Sequence, residues 1–198
     1  MVARSDHTRL ALASAAAALV YEQGVRATTL ADVASRAAVP LGNVYYYFKT
    51  KDALAEAVIA LHALRMREHF AKLERDLTTP RERLRVFVRT PLANAADVMM
   101  HGCPYGSLCQ ELAKLGATDT LARASAKLLV LHVDWVERQL RAHGITRGAR
   151  GLSEDLVASL QGLMLLAHAQ KDEALFTAQT RRLERSLFRM LTTKGTLS

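Results

Sequence analysis

Cysteine is nearly absent. Cys103 and Cys109 are the only two among 198 residues, too few for a disulfide framework and in keeping with a reducing compartment such as the cytoplasm. Proline is scarce at four residues and glycine at ten, which excludes collagen-like and linker-like chains and leaves long stretches without helix breakers. No apolar run reaches the roughly 18–20 residues that a membrane span needs. Residues 10–21 (LALASAAAALVY), behind Arg9, have the look of a signal-peptide core. Asp6 stands in what would be its positive region, Ser14 interrupts the run, and its larger apolar residues fall at helical spacing, so the stretch reads as a helix. Catalytic fingerprints are missing too. There is no Gly-x-x-x-x-Gly-Lys, no Gly-x-Ser-x-Gly, no His-Glu-x-x-His and no dinucleotide glycine pattern, and nothing else recommends an enzyme. The seven histidines are scattered, and His101, Cys103 and Cys109 lack the spacing of a closed zinc site, so neither metal nor cofactor is expected.

Half of the chain is apolar, and the formal net charge is +8. A basic balance favours a polyanionic partner, nucleic acid above all, but a solvated basic surface fits it about equally well. Residues 1–52 hold six Lys/Arg against four Asp/Glu. The case for DNA therefore has to rest on a motif.

The apolar pattern is helical along the whole chain. Leu12, Ala15, Ala16, Leu19 and Val20 mark one buried face of a first helix over 5–23, which Gly24 stops. Thr28 or Thr29 caps a second over 30–37, with Leu30, Val33, Ala34 and Ala37 inside. A turn at Ala38, Val39 and Pro40 leads to a short helix over 41–48, and Thr50 caps a long one over 51–77. Thr79-Pro80 opens the next helix, which Pro91 kinks or interrupts. A loop through His101, Gly102, Cys103 and Pro104 precedes a helix over 105–115, and another follows over 119–143. After a polar, glycine-rich break at 144–151, two helices over 153–170 and 172–191 begin with acidic residues that complement the helix dipole. No strand pattern, internal repeat or low-complexity stretch is visible. The predicted fold is all-α with about nine helices: a helix-turn-helix domain over 1–52 and a helical domain over 53–198.

Two short helices joined by a tight turn, behind a longer supporting helix, form the arrangement of a helix-turn-helix DNA reader. Asn43, Tyr45, Tyr46 and Tyr47 crowd the second short helix. Consecutive side chains on a helix stand about 100° apart, so three tyrosines in a row cannot all face inward. At least one is left outside, where a phenol can meet a phosphate oxygen or a base edge. Packing between helices is the competing use for the others, as a turn contact is for Asn43.

From Thr8-Arg9 to Leu54, ending TTLADVASRAAVPLGNVYYYFKTKDAL, the chain closely resembles the DNA-binding domain of the tetracycline-repressor (TetR) family. Gly24, Thr28-Thr29, Val33-Ala34, Val39, Gly42, Val44-Tyr45, Tyr47-Phe48, Lys51 and Leu54 match in order and spacing. The stretch from Gly102 to Leu108, with Glu111-Leu112-Ala113, looks like one recurrent subgroup of these regulators. The resemblance implies a homodimer reading a roughly palindromic stretch of double-stranded operator DNA. Thr28 and Thr29 would meet phosphate, and Leu41, Gly42, Asn43 and Tyr46 would lie nearest base edges. Tyr45, Tyr47 and Lys51 would clamp the backbone. Asn43 is the prime reader, because an amide pairs bidentately with adenine. Three positions depart from the family's pattern. Ala38 stands where glycine is usual in the turn, Leu41 where lysine is common, and Ala31 where a long polar residue often reads a base. Sequence preference would then lean on Asn43, the tyrosines and DNA shape.

The C-terminal domain is expected to hold the dimer interface and a pocket for a small apolar or aromatic effector. Leu156, Leu160 and Leu163, with Leu183 and Leu187, lie on apolar stripes of the last two helices and are the dimer candidates; packing within one chain also fits such stripes. Phe87, Met99, Cys103, Tyr105, Trp135, Met164 and His168 are the pocket candidates, though plain core explains most of them as well. Cys103, near a helix start and two residues from His101, also has the setting of an electrophile sensor, with burial at a structural turn as the favoured alternative.

Overall fold

The computed structural model describes residues 2–116 and 119–194, and among them ten helices form and no strand. In chain order these are α1 (Val2–Ala27), α2 (Leu30–Arg36), α3 (Leu41–Tyr47), α4 (Lys51–Asp76) and α5 (Pro80–Ala93). They continue with α6 (Ala95–His101), α7 (Pro104–Lys114), α8 (Asp119–Ala142), α9 (Ala149–Gln170) and α10 (Glu173–Lys194). The expected starts are made by side chains. Thr50 Oγ1 accepts from the Ala53 amide at 3.1 Å to open α4. Thr79 and Glu82 form a reciprocal cap ahead of Pro80, and Asp172 accepts from the Leu175 amide at 2.9 Å at the head of α10.

Three boundaries differ from the sequence reading. The helical stretch of α1 runs on to Ala27, but Gly24 (φ 86°, ψ 164°) breaks its regularity where a stop was expected. Pro91 ends α5 after one more half-turn, and α6 starts beyond Asn94, so the interrupted helix is two helices. The break after α8 is shorter than its glycines suggest: Gly144 (φ 100°) and Gly148 (φ 74°) both take positive φ, α9 begins at Ala149, and Gly151 is carried inside the helix.

The chain packs as two compact units. The first comprises the described residues of 1–66 and 104–128. In it α1 lies against α2 and α7, and α2 pairs with α3. Leu12, Ala16, Leu19, Val33, Val44, Phe48, Leu54, Val58, Leu108 and Leu112 form its buried interior. Packing thus groups α7 with the helices that precede residue 52. The second unit comprises the described residues of 67–103 and 129–194. There α10 lies against α5 and α9, and α6 against α9, over Phe70, Leu84, Phe87, Trp135, Val136, Leu140 and Leu191.

Candidate nucleic-acid interface

The α2–turn–α3 element is held at every junction. Thr29 caps α2: its hydroxyl oxygen accepts from the Asp32 amide at 3.1 Å, while Asp32 Oδ2 accepts from the Thr29 amide at 2.9 Å. Those bonds from Thr29 hold the Asp32 carboxyl below the usual carboxylate range. Arg36, at the other end of α2, grips Glu22 of α1 through two guanidinium nitrogens at 2.9 and 2.6 Å, which raises the arginine's pKa. Between α2 and α3 the chain makes a Schellman turn. The Val39 amide donates to Ala34 O at 3.0 Å and the Ala38 amide to Ser35 O at 3.1 Å, with Ala38 left-handed at φ 53°. A glycine would sit there without strain, so the departure at position 38 is a real conformational cost.

The seven residues of α3 are rooted by Val44 and by Phe48 just beyond it, both buried. The opposite face is open: Leu41, Gly42 and Asn43 are exposed, with Tyr45 and Tyr46 at 52% and 77% exposure. Tyr47 is half-buried and receives the edge of Tyr46, ring centroids 5.0 Å apart at 89°. One tyrosine therefore supports and two are presented, as the spacing of consecutive helical side chains requires. Lys51, at the first residue of α4, is exposed and donates Nζ to Arg26 O at 3.1 Å.

Thr28 is placed differently from expectation. It is 2% exposed and its hydroxyl donates to Gly24 O at 2.7 Å, so the side chain is used inside the turn and Thr29 alone lies at the surface. Sequence reasoning also missed the carboxylate of Glu111, on α7, which accepts from the amides of Val25 and Arg26 at 2.8 Å each. The partners lie 85 and 86 residues apart, and the only sequence signal was the recurrent Glu111-Leu112-Ala113.

The pocket candidates fall in both units, Tyr105 in the first and the other six in the second. Trp135 is fully buried, stacks on Phe70 (4.6 Å, 11°), and sits 5.4 Å from Phe87. Its indole N–H donates to Glu74 at 2.8 Å, and Gln139 donates to the same carboxylate oxygen at 2.9 Å. Met164 and Cys103 are buried as well. His168 and the Met99 carbonyl meet at 3.1 Å, joined by the Lys171 ammonium, which reaches that carbonyl. Tyr105 belongs to the first unit, where its ring meets His62 edge-on at 5.3 Å. Clefts of about 230 and 540 Å³ are lined around Arg26, Lys51 and Leu112, and around Glu173, Thr177 and Arg181; none of the seven candidates lines either. Of the dimer candidates, Leu156, Leu160 and Leu187 are buried within the single chain, whereas Leu163 and Leu183 are half-buried. The outward apolar residues of α9 are Leu165 and Leu166, at 59% and 48% exposure.

Among the described residues no helix is long and apolar enough to cross a membrane, and no three His, Cys, Asp or Glu side chains gather as a metal site. Residues 12–58 match the model of the family described as bacterial regulatory proteins, tetR family. An uncharacterized HTH-type transcriptional regulator in the lacX 3' region of Lactococcus lactis subsp. lactis is 30% identical over 123 residues. That alignment covers 55% of this chain and 57% of the relative's length. The crystal structure of a TetR transcriptional regulator from Legionella pneumophila superposes with a TM-score of 0.78 at 18% identity, covering 89% of this chain and 95% of that one. A TetR-family regulator from Agrobacterium tumefaciens does so with a TM-score of 0.78 at 24% identity, covering 91% and 98%. The segment that carries α2 and α3 is thus similar to the DNA-binding segment of tetR-family regulatory proteins, and the fold is shared with these solved structures across nearly the whole chain.

Proposed function

We propose that the protein is a cytoplasmic transcriptional repressor that binds operator DNA as a homodimer through α3 and is released by a small apolar or aromatic effector. The observation that carries this reading is the face of α3. Asn43, Tyr45 and Tyr46 stand exposed together on a helix whose other side is fixed by Val44 and Phe48. A rigid, shallow helix with an amide and two phenols outside suits insertion in a major groove. Asn43 reads a base, Tyr46 lies beside it, and Tyr45, Thr29 and Lys51 meet phosphates, Lys51 aided by the positive end of α4. The two α3 helices of a dimer must then stand about one DNA turn apart, roughly 34–36 Å. An effector that shifts α4 changes this spacing and favours the state that releases DNA. Catalysis has no part in this mechanism.

The test is a binding comparison on the fragment that the wild-type protein selects from genomic DNA. Asn43→Ala should lose about 5- to 150-fold in affinity for that fragment and leave affinity for unrelated DNA unchanged. An equal loss on every sequence would contradict base reading by Asn43.

A further inference from the structure

We propose that Glu111 is a positioning residue for DNA binding: it clamps the turn between α1 and α2 and so sets the helix pair that reads DNA, without touching DNA itself. The inference rests on the DNA-binding reading above. It starts from the geometry of residues 24–28. At Gly24 the backbone leaves helical conformation (φ 86°, ψ 164°), which strips the next amides of their partners four residues back. The two oxygens of one carboxylate take them up: Oε2 of Glu111 accepts from Val25 and Oε1 from Arg26, each at 2.8 Å. Bonds to a charged acceptor are about twice as strong as neutral ones, and the paired geometry fixes both position and direction.

Glycine at position 24 is required twice over. Its φ lies where other residues are strained, and a Cβ there would stand 2.9 Å from both carboxylate oxygens. The same turn is gripped from its other sides, since Gly24 O accepts from the Thr28 hydroxyl at 2.7 Å and Arg26 O accepts from Lys51 at 3.1 Å. Thr29 then begins α2 directly with its reciprocal cap, and α2 packs on α3. A displacement of α7 is therefore passed through two hydrogen bonds to the turn, and from there to the reading helices.

Charge gives this proposal a sign that a general electrostatic effect does not share. Removing an acidic side chain from a DNA-binding protein strengthens its attraction to phosphate; loss of the clamp weakens binding. The experiment uses the full chain as wild type, Glu111→Ala and Glu111→Gln, the last keeping one acceptor oxygen should the alanine variant fold poorly. Amide hydrogen exchange at Val25 and Arg26 is read alongside affinity for the selected DNA fragment over a salt series. The expected result is exchange at those two amides at least tenfold faster in Glu111→Ala. Affinity should fall at least tenfold with the same slope against salt, because no phosphate contact is lost, and Glu111→Gln should lie between. Unchanged or increased affinity in Glu111→Ala overturns the positioning role, and unchanged exchange at the two amides overturns the clamp. Failure of the wild-type protein to bind any DNA would instead remove the regulator reading, which the exchange data do not address.

Discussion

Ala38 occupies the one position of the α2–α3 turn that must be left-handed, and at φ 53° it adopts that conformation without the freedom of a glycine. The left-handed region costs an L-residue with a Cβ about 1–2 kcal/mol. Ala38→Gly should therefore raise unfolding stability by about 1 kcal/mol in urea titration, partly offset by the looser unfolded chain; a loss of stability would mean that the methyl group has a packing role. This feature was legible in the sequence because turn chemistry is local. The outward tyrosines were legible for the same reason, since consecutive residues on a short helix cannot share a face. Thr28 and Thr29 were not separable from sequence, for both are good caps. Only the geometry shows Thr28 Oγ1 turned to Gly24 O and Thr29 Oγ1 given to Asp32. Glu111 was invisible in its role because its partners are backbone amides 85 and 86 residues away.

At the scale of elements, α4 and α7 meet through a buried histidine. His62 lies edge-on to Tyr105, and burial, with Arg65 nearby, pushes its pKa down to about 4 from an ordinary 6.5. Above pH 6.5 the ring is neutral in folded and unfolded chains alike and contributes no pH dependence. Between 6.5 and 4 the unfolded chain takes up a proton that the folded one refuses, so stability falls with acidity, by roughly 3 kcal/mol at the lower limit. His62→Leu should lose less stability than wild type between pH 7 and pH 4.5, measured by urea unfolding at each pH; identical losses would contradict the assignment. Asp32 and Glu82 also weaken the fold in acid as their lowered carboxyls protonate, but they do so in both proteins. Helix starts and stops were well marked in the sequence by the Thr28-Thr29 pair, Thr50, Thr79 and Pro91, which act through their own neighbours. The start of α9 was obscured because a run of polar and glycine residues reads as loop, and only tertiary packing shows that Ala149 is fully buried.

On the scale of the whole molecule, charge is a poor guide to the reading surface. α5 and α10 carry nine Lys/Arg against three Asp/Glu, more excess than residues 1–52 hold. Part of it is structural: Arg85 and Arg89 pair with the buried Glu184, and Arg81 and Arg85 lie over Phe188 at 4.8 and 4.7 Å. The proposed dimer is better sought on α9, where Leu165 and Leu166 stand out beside exposed Ala158, Gly162 and Ala169. Apolar periodicity located this helix, and of the residues it singled out there Leu156 and Leu160 pack inward while Leu163 is half-buried. Leu165→Glu with Leu166→Glu should halve the mass seen by light scattering, from twice 21.8 kDa to the single chain, with helicity retained; an unchanged mass would place the interface elsewhere.

If α3 reads a specific, two-fold DNA sequence, footprinting at a stated salt concentration on the strongest-bound genomic fragment will show it. Two protected half-sites with centres about one helical turn apart are expected, with protection lost in Asn43→Ala. Diffuse protection that fades evenly as salt rises, the same for wild type and Asn43→Ala, would contradict it.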